Sequence, residues 1–187
     1  MVSASTVCAE QTWWVRMNAE FYAKMQRYIV NSGIDMSVLR GRPSGTLKAV
    51  HEFLYAIDLA KFGDPASFRD VLDERTKALV RSCAGASWGH ARKCLDIFLR
   101  KATYDYYMRE RYRLDSLEPV LELPLDSNVA AGIAFDAKKY GLRRSHKWDT
   151  IIRLTPEAND DWQATASELA RMRKIHRVHL DLWYWRA

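Results

Sequence analysis

The chain has 187 residues and 48% hydrophobic content, which is enough for one substantial core and predicts a single domain over residues 1–187. Lysine and arginine number 29 against 23 aspartates and glutamates, and the resulting net charge of +6 favours an anionic partner. The three cysteines form no Cys-x-x-Cys pair, no stretch is long and apolar enough to span a membrane, and the first residues lack an export signal. We therefore expect a cytoplasmic protein with reduced thiols, no zinc or other metal, and no cofactor.

Apolar residues at helical spacing predict three helices in the first half of the chain. The first covers residues 10–30, and the second follows a glycine- and proline-containing break at residues 41–45. Asp64 and Pro65 favour the start of the third helix, with the aspartate as its cap and the proline in its first turn. This third helix is expected to run to about Cys83.

A long fourth helix follows after a short connection, so the third and fourth helices are expected to form a helical hairpin. Ser87 is placed to cap the fourth helix, because its hydroxyl can accept a hydrogen bond from a free backbone N–H at the helix start. Lys93 then lies within the first two turns. Apolar spacing carries the helix to about Arg111 and places Tyr106 and Tyr107 among its buried positions.

The remaining chain predicts two further helices and a tail. Pro124 stops any preceding helix, and Asp126 is placed to cap the next one. A basic loop at residues 140–147 follows, and Pro156 begins the last clear helix. Residues 176–187 alternate well enough to be a strand or an extended tail, and both interpretations stay open. The sequence therefore predicts an all-α fold, arranged as a compact multi-helix single domain.

Lys93 and Asp126 both stand near the start of a helix, which allows a lysine and a carboxylate to meet in one cleft. Lys93 belongs to the sequence Ala-Arg-Lys-Cys-Leu at 91–95, and Asp126 belongs to Pro-Leu-Asp-Ser-Asn-Val at 124–129. In this order the two elements resemble the helix-hairpin-helix DNA glycosylase superfamily, most closely the divergent archaeal 8-oxoguanine DNA glycosylase type. The members of that superfamily carry a lysine just beyond a hairpin and an aspartate at the start of a downstream helix. The resemblance is centred on residues 74–135.

The resemblance implies base excision in DNA repair. The expected substrate is double-stranded DNA from which a damaged base, 8-oxoguanine as the first expectation, is flipped out and excised. A lysine Schiff base then implies abasic-site lyase activity as well. The chain departs from the family pattern because no Gly-x-Gly precedes Lys93, and the nearest glycines are Gly85 and Gly89. Uncharacterised bacterial proteins with a similar lysine helix, Pro-x-Asp element and late tryptophans also resemble the chain, and they imply no activity.

The resemblance also implies roles for individual residues. Lys93 is expected to attack the sugar carbon, and Asp126 is expected to stabilise the positive charge that develops there or to help remove a proton. His90 and Arg92 flank Lys93, and we expect them to crowd its ammonium group and to contact the substrate. Lys93 and Asp126 are therefore the predicted catalytic residues, and His90 and Arg92 are predicted to bind the substrate.

Aromatic and basic side chains elsewhere in the chain are candidates for DNA contacts. Trp88 and Trp148 are expected to stack on the flipped base, and a place in the core is the alternative for both. Trp13 or Trp14 would be a further stacking candidate. In the basic loop, Arg143, Arg144 and Lys147 are expected to contact phosphates, and a solvated loop is the alternative there. Those three residues are the predicted contacts to the nucleic-acid backbone.

Two other classes of function stay open. Arg171 and His176 fit the Arg-x4-His pattern, which resembles the ribonuclease motif of small helical toxin-type domains that act as dimers. The third class is a basic helical module that binds nucleic acid or protein without catalysis. His51 lies on an apolar helix face and is interpreted as a structural histidine, and the few histidines do not have the spacing of metal ligands.

Overall fold

A computed structural model describes residues 4–142 and 146–184, with side chains from residue 18 onward. This part of the chain is all-α, as predicted, and contains no strand. Its helices are α1 (Ala4–Gly33), α2 (Thr46–Tyr55), α3 (Phe68–Ser82), α4 (Trp88–Tyr104), α5 (Tyr106–Tyr112), α6 (Ser127–Lys139), α7 (Pro156–Arg173) and α8 (Asp181–Tyr184). Single 3₁₀ turns lie at Leu59–Phe62, Leu114–Leu117, Ile151–Arg153 and Arg177–Leu180.

Side-chain caps set the start of the helices that matter for the site. Ser87 Oγ accepts a hydrogen bond from the backbone N–H of His90 at 3.4 Å and begins α4, as predicted. Asp126 Oδ1 accepts from the N–H groups of Asn128 and Val129, each at 2.9 Å, and begins α6. The predicted helical hairpin is present, because α3 and α4 pack against each other across the short connection between them.

The long helix predicted from Ser87 to Arg111 is divided in two. Asp105 has an extended backbone, and its carboxylate accepts a hydrogen bond from the N–H of Met108 at 3.0 Å, which caps α5 as a separate helix. The change of direction exposes Tyr106 and Tyr107, which were predicted to be buried. The cap formed by Asp105 therefore ends α4, although the apolar spacing continues past this residue.

The tail after α7 is helical, so neither the strand nor the extended tail is correct for residues 176–184. Arg177 anchors this segment by donating hydrogen bonds to the carbonyl oxygens of Leu121 and Val120, both at 2.8 Å. Val178, Leu180 and Tyr184 are buried. The rest of the predicted tail, residues 185–187, lies outside the described residues.

The buried apolar residues form two clusters. The first lies among α1 to α5, and the second lies among α6, the middle and end of α7, and α8, together with Leu123 and Leu125 of the segment before α6. The start of α4 reaches the second cluster because Gly89 packs directly on the turn at Ile151. A Cβ atom at Gly89 would lie 2.1 Å from the carbonyl oxygen of Ile151, so only glycine permits this approach. Gly89, considered above as a hairpin glycine, is therefore a packing glycine.

A buried carboxylate, Glu122, connects the two clusters. Its Oε1 pairs with Arg69 of α3 at 2.8 Å, and its Oε2 lies 3.2 Å from Nε of Arg92 on α4. The same Oε2 accepts a hydrogen bond from the amide of Asn159 on α7 at 2.8 Å. The side chains of Glu122 and Arg92 are almost fully excluded from solvent. Three helices are therefore tied to one extended segment, α3 and α4 by ion pairs and α7 by a hydrogen bond to the same carboxylate.

Removal of the Glu122 charge is expected to destabilise the protein strongly. In Glu122→Gln the size of the side chain is kept, but the guanidinium groups of Arg69 and Arg92 lose their shared carboxylate. Breaking a buried ion pair in this way costs about 3–5 kcal/mol in the free energy of unfolding. Urea denaturation measures this loss.

The matched control is Glu52→Gln, because Glu52 is exposed and lies 3.9 Å from Lys48. An exposed pair of this kind contributes at most about 1 kcal/mol. If Glu122→Gln were no more destabilising than Glu52→Gln, the contacts of Glu122 would not hold α3, α4 and α7 together.

Candidate functional site

Lys93 and Asp126 form an ion pair. Lys93 is the sixth residue of α4, and its Nζ lies 3.1 Å from Oδ2 of Asp126. The exposed fractions of the two side chains are 13% and 26%, so the pair is mostly shielded but reachable from solvent. The other carboxylate oxygen, Oδ1, is the cap of α6. Asp126 thus holds the start of one helix and the lysine of another at the same time.

The ion pair lies between two surface clefts. The larger cleft has a volume of about 490 Å³, and the smaller has a volume of about 270 Å³. Both are lined by the ion pair and by the same three neighbours: Ser37, Val38 and Asn128. A molecule in either cleft would therefore contact the lysine and the carboxylate.

Charged side chains of both signs line the larger cleft. Arg100 and Lys101 follow Lys93 along α4, and Arg100 pairs with Asp181 at the start of α8. Burial, and next the charge of Arg100, lower the pKa of Lys101. On the opposite side, Asp35 accepts hydrogen bonds from the hydroxyl and N–H of Ser37 at 2.5 and 2.8 Å. The cleft is suited to a polar ligand with both donors and acceptors.

The charge of Asp35 is stabilised in the folded protein. The hydrogen bonds from the Ser37 side chain and backbone lower the pKa of Asp35, and the positive charge of Lys93 adds a smaller effect in the same direction. A second carboxylate besides Asp126 therefore faces the lysine. No pattern in the sequence predicted a role for Asp35, because it lies in the loop after α1 and meets Lys93 only in the folded chain.

His90 lines the smaller cleft, one turn before Lys93. Its Nδ1 lies 2.8 Å from the hydroxyl oxygen of Ser87. Burial lowers the pKa of His90 to about 4, and the positive charges of Arg42 and Lys93 act in the same direction. His90 is therefore neutral near pH 7. The sequence predicted that His90 would crowd the lysine ammonium with a second positive charge, and a neutral His90 does not do so.

Arg92 does not belong to the clefts, and its predicted role in substrate binding is wrong. Its guanidinium points into the core, where it pairs with Glu122 and Asp73 and donates to the hydroxyl of Thr76 at 2.9 Å. It also lies over the ring of Trp88, at 5.0 Å from the centroid. Arg92 is a structural residue, because its side chain is about 1% exposed.

The predicted tryptophan wall is not formed by Trp88 and Trp148. Both rings pack against the second cluster, and neither lines the two clefts beside Lys93. Trp148 contacts the buried Trp162 edge to face, with ring centroids 5.8 Å apart. Its indole N–H donates to the hydroxyl of Ser127 at 3.4 Å, next to the capping aspartate. The side chains of residues 13 and 14 lie outside the described part of the structure.

The basic loop is described only in part. Arg143 and Arg144 lie outside the described residues. Lys147 is exposed and lines a separate surface cleft together with Lys138 of α6. The N–H of His146 donates to the carboxylate of Asp161 at 2.9 Å, which attaches this end of the loop to α7.

The Arg-x4-His pattern is divided by the end of a helix. α7 ends at Arg173, and Lys174 has a left-handed backbone with φ of 56° that turns the chain away. Arg171 is paired with Glu168 at 2.8 Å, and His176 lies beyond the turn. The arrangement of both residues on one helix, which the ribonuclease hypothesis assumed, is not present.

Comparison with known proteins gives no relative, since no family model, curated protein or solved structure matches the chain. None of the helices in the described residues is long and apolar enough to cross a membrane. Within residues 4–142 and 146–184, no group of three histidine, cysteine, aspartate or glutamate side chains is placed to hold a metal ion. His51 has a structural contact, with Nε2 at 2.7 Å from the carbonyl oxygen of Ile34.

The low pKa of His90 predicts a loss of stability in weak acid. The unfolded chain binds a proton at this histidine near pH 6.5, whereas the folded chain does so only near pH 4. The free energy of unfolding therefore has its full value above pH 6.5 and decreases as the pH falls from 6.5 to 4. At pH 5 the decrease is about 2 kcal/mol. Urea denaturation at pH 7.5 and pH 5 measures the loss, and His90→Gln is expected to lose about 2 kcal/mol less. An equal loss in both proteins would contradict the burial of a neutral His90.

Proposed function

We propose that the protein is a DNA glycosylase with abasic-site lyase activity, in which Lys93 is the nucleophile and Asp126 is its partner. The observation that carries this proposal is the 3.1 Å contact between Lys93 Nζ and Asp126 Oδ2 at the junction of two clefts. A reacting sugar at that junction would contact both groups. The base and the sugar–phosphate strand would then occupy the clefts on either side.

Asp126 is suited to the charge changes of base release. As the bond between the sugar C1′ and the base breaks, its electron pair leaves with the base, and positive charge develops on the sugar. A fixed carboxylate stabilises that charge most effectively when it needs no reorganisation. Two backbone N–H groups hold Asp126 in place, so its second oxygen is oriented before any substrate arrives.

Lys93 is suited to the covalent step. Lys93 attacks as the free amine after its ammonium has lost a proton to water, so Asp126 stays ionised while the base leaves. The Nζ lone pair forms a bond to C1′, the electron pair of the C1′–base bond leaves with the base, and the base takes up a proton from water. The new Nζ ammonium then gives one proton to Asp126. The C1′–O4′ bond opens next, with its electron pair moving to O4′, which takes the proton held by Asp126. The product is a protonated Schiff base between Lys93 and the ring-opened sugar. Loss of a C2′ proton and of the 3′ phosphate then cuts the strand.

The lining of the larger cleft favours a damaged base with a polar edge. Asp35 is an acceptor that is fixed by Ser37, while Lys101 and Asn128 supply donors in the same cleft. A purine such as 8-oxoguanine presents both donors and acceptors along its edges, which fits this mixture. The resemblance noted above implies the same base, and we propose it as the first substrate to test.

Lys93→Gln is expected to abolish the covalent intermediate, because an amide cannot form a Schiff base. The measurement is borohydride trapping on duplexes that each contain one damaged base or an abasic site. The unmodified protein should give a trapped adduct on at least one duplex, and Lys93→Gln should give none on any of them.

Lys48→Gln is the matched control, since Lys48 is an exposed lysine that lies on α2 and pairs with Glu52. It should be trapped as well as the unmodified protein. Equal trapping of Lys93→Gln and the unmodified protein would assign the adduct to another lysine. The absence of both an adduct and base release would favour a module that binds without catalysis.

Asp126→Asn is expected to slow base release without unfolding α6. Asparagine caps a helix about as well as aspartate does, so the two backbone hydrogen bonds can be kept. The negative charge is lost, and we expect base release to fall by about 100-fold or more in single-turnover assays. Binding to the same duplex should change little. An unchanged rate of base release would remove Asp126 from the chemistry and leave it only the role of a cap.

A further inference from the structure

The exposed face of α6 carries a continuous series of clefts that leads away from Lys93. Asn128, in the first turn, lines both clefts beside the lysine and also a third cleft of about 470 Å³. Phe135, two turns later, lines the third cleft and a fourth of about 620 Å³. The third cleft, here named the aromatic groove, is lined by Asn128, Ala131, Gly132, Phe135, Asp136, Arg173, Trp183 and Tyr184.

Two large aromatic rings of the aromatic groove are exposed to solvent. Phe135 is 73% exposed and Trp183 is 50% exposed, so neither ring contributes its full surface to the core. Aromatic side chains normally bury most of their area, and a concave surface with exposed rings marks a place where a ligand can cover them. The faces of flat aromatic groups are the natural partners of such rings.

The floor of the aromatic groove is rigid and carries polar groups. The ring of Tyr184 packs on Gly132, where a Cβ atom would lie 2.3 Å from the ring. The Tyr184 hydroxyl and the Arg173 guanidinium both donate to Oδ2 of Asp136 at 2.6 Å. Burial alone would raise the pKa of Asp136, but these two hydrogen bonds lower it overall. The carboxylate is therefore satisfied, and the groove has no unpaired acidic group to repel DNA.

The fourth cleft supplies positive charge beyond the aromatic groove. Lys138 of α6 and Lys147 line it, and both side chains are exposed. Exposed lysines at this position complement a phosphate backbone that continues past the rings. The order along α6 is therefore the ion pair of Lys93 and Asp126, then aromatic rings, then lysines.

We propose that the aromatic groove binds an unpaired nucleobase of the DNA, stacked on Phe135 and Trp183, while Lys138 and Lys147 contact phosphates of the same strand. This inference rests on the proposed function, because flipping a target nucleotide into the larger cleft leaves its partner base unpaired close to it. The combination of rings for the base and lysines for the phosphates is the one that proteins use for single strands. An apolar peptide would not require the lysines.

The experiment uses the full-length Lys93→Gln protein, so that binding is measured without turnover. The probes are duplexes that contain a tetrahydrofuran abasic analogue and one 2-aminopurine, placed either opposite the analogue or beside it on the same strand. Stacking should change the emission of the 2-aminopurine that enters the groove. If the 2-aminopurine opposite the analogue changes its emission, the base that has lost its partner occupies the groove, which supports the inference. If only the 2-aminopurine beside the analogue changes its emission, the inference is overturned, because that base still has a partner.

Variants identify the groove as the place of stacking. Phe135→Ala and Trp183→Ala should each weaken binding about fivefold or more and abolish the emission response, because a base loses one stacking partner. Phe135→Tyr and Trp183→Phe keep an aromatic ring and should restore both. Lys147→Gln should lower the salt dependence of binding by about one ion. Tyr28→Ala is the control, since Tyr28 is an exposed aromatic residue on α1 and is expected to leave all readouts unchanged.

The outcomes separate this inference from the proposed function. Affinity and emission that stay unchanged in both alanine variants overturn the groove, even if the unmodified protein forms a borohydride-trapped adduct through Lys93. If no adduct forms but the alanine variants still weaken binding and abolish the emission response, the groove stands and the glycosylase assignment fails. A loss of emission response in Tyr28→Ala as well would overturn the assignment of stacking to the groove.

Discussion

The ionic contacts of Glu122 fix the geometry on which the candidate site depends. Arg92 pairs with Glu122 on the inner side of α4, and Lys93, the next residue, pairs with Asp126 on the cleft side. Glu122 and Asp126 belong to the same short segment between helices. The two ion pairs therefore connect the same two pieces of chain, one in the core and one in the cleft. The buried pair sets the distance at which the exposed pair can form.

Burying charged groups costs free energy, and the cost is larger for a group that lacks a partner. Burial, and next the neighbouring negative charge of Glu122, raise the pKa of Asp96 well above its usual range. Arg92 and Glu122 have partners of opposite charge, whereas one carboxylate oxygen of Asp96 is buried without a hydrogen bond. Such an arrangement contributes more to a unique packing of helices than to net stability. A unique packing is what a site built from two separate helices requires.

Local signals in the sequence predicted the two helix starts at the site. They were wrong for the third helix, because α3 begins at Phe68 and not at the predicted Asp64 cap with Pro65 in the first turn. Ser87 and Asp126 cap the helices that they were expected to cap, since a cap depends only on a few neighbouring residues. Asp105 shows where apolar spacing fails to predict a helix end. The spacing continued past Asp105, but its side chain caps a new helix. The tail was ambiguous for a related reason: a short alternating segment folds according to what it packs on, and Arg177 attaches it to a distant segment.

The candidate site was predictable only where it depends on helix starts. Lys93 and Asp126 were named together from their positions near helix starts, and they are in contact in the structure. Arg92 has the same charge as its neighbour, but it stands three and seven residues before Leu95 and Leu99, on the side of α4 that faces the core. Asp35 comes from a loop far away in the chain, and no local pattern predicts that it reaches the lysine cleft.

The position of Asp181 in the wall of the larger cleft has a consequence for the synthesis of the protein. A ribosome makes Lys93 and Asp126 long before it makes the segment that pairs with Arg100 and packs on α6. A nascent chain that ends after α7 would contain Lys93 and Asp126 beside an unfinished cleft. Because a domain generally folds as one unit, the cleft is complete only after α8 has been made.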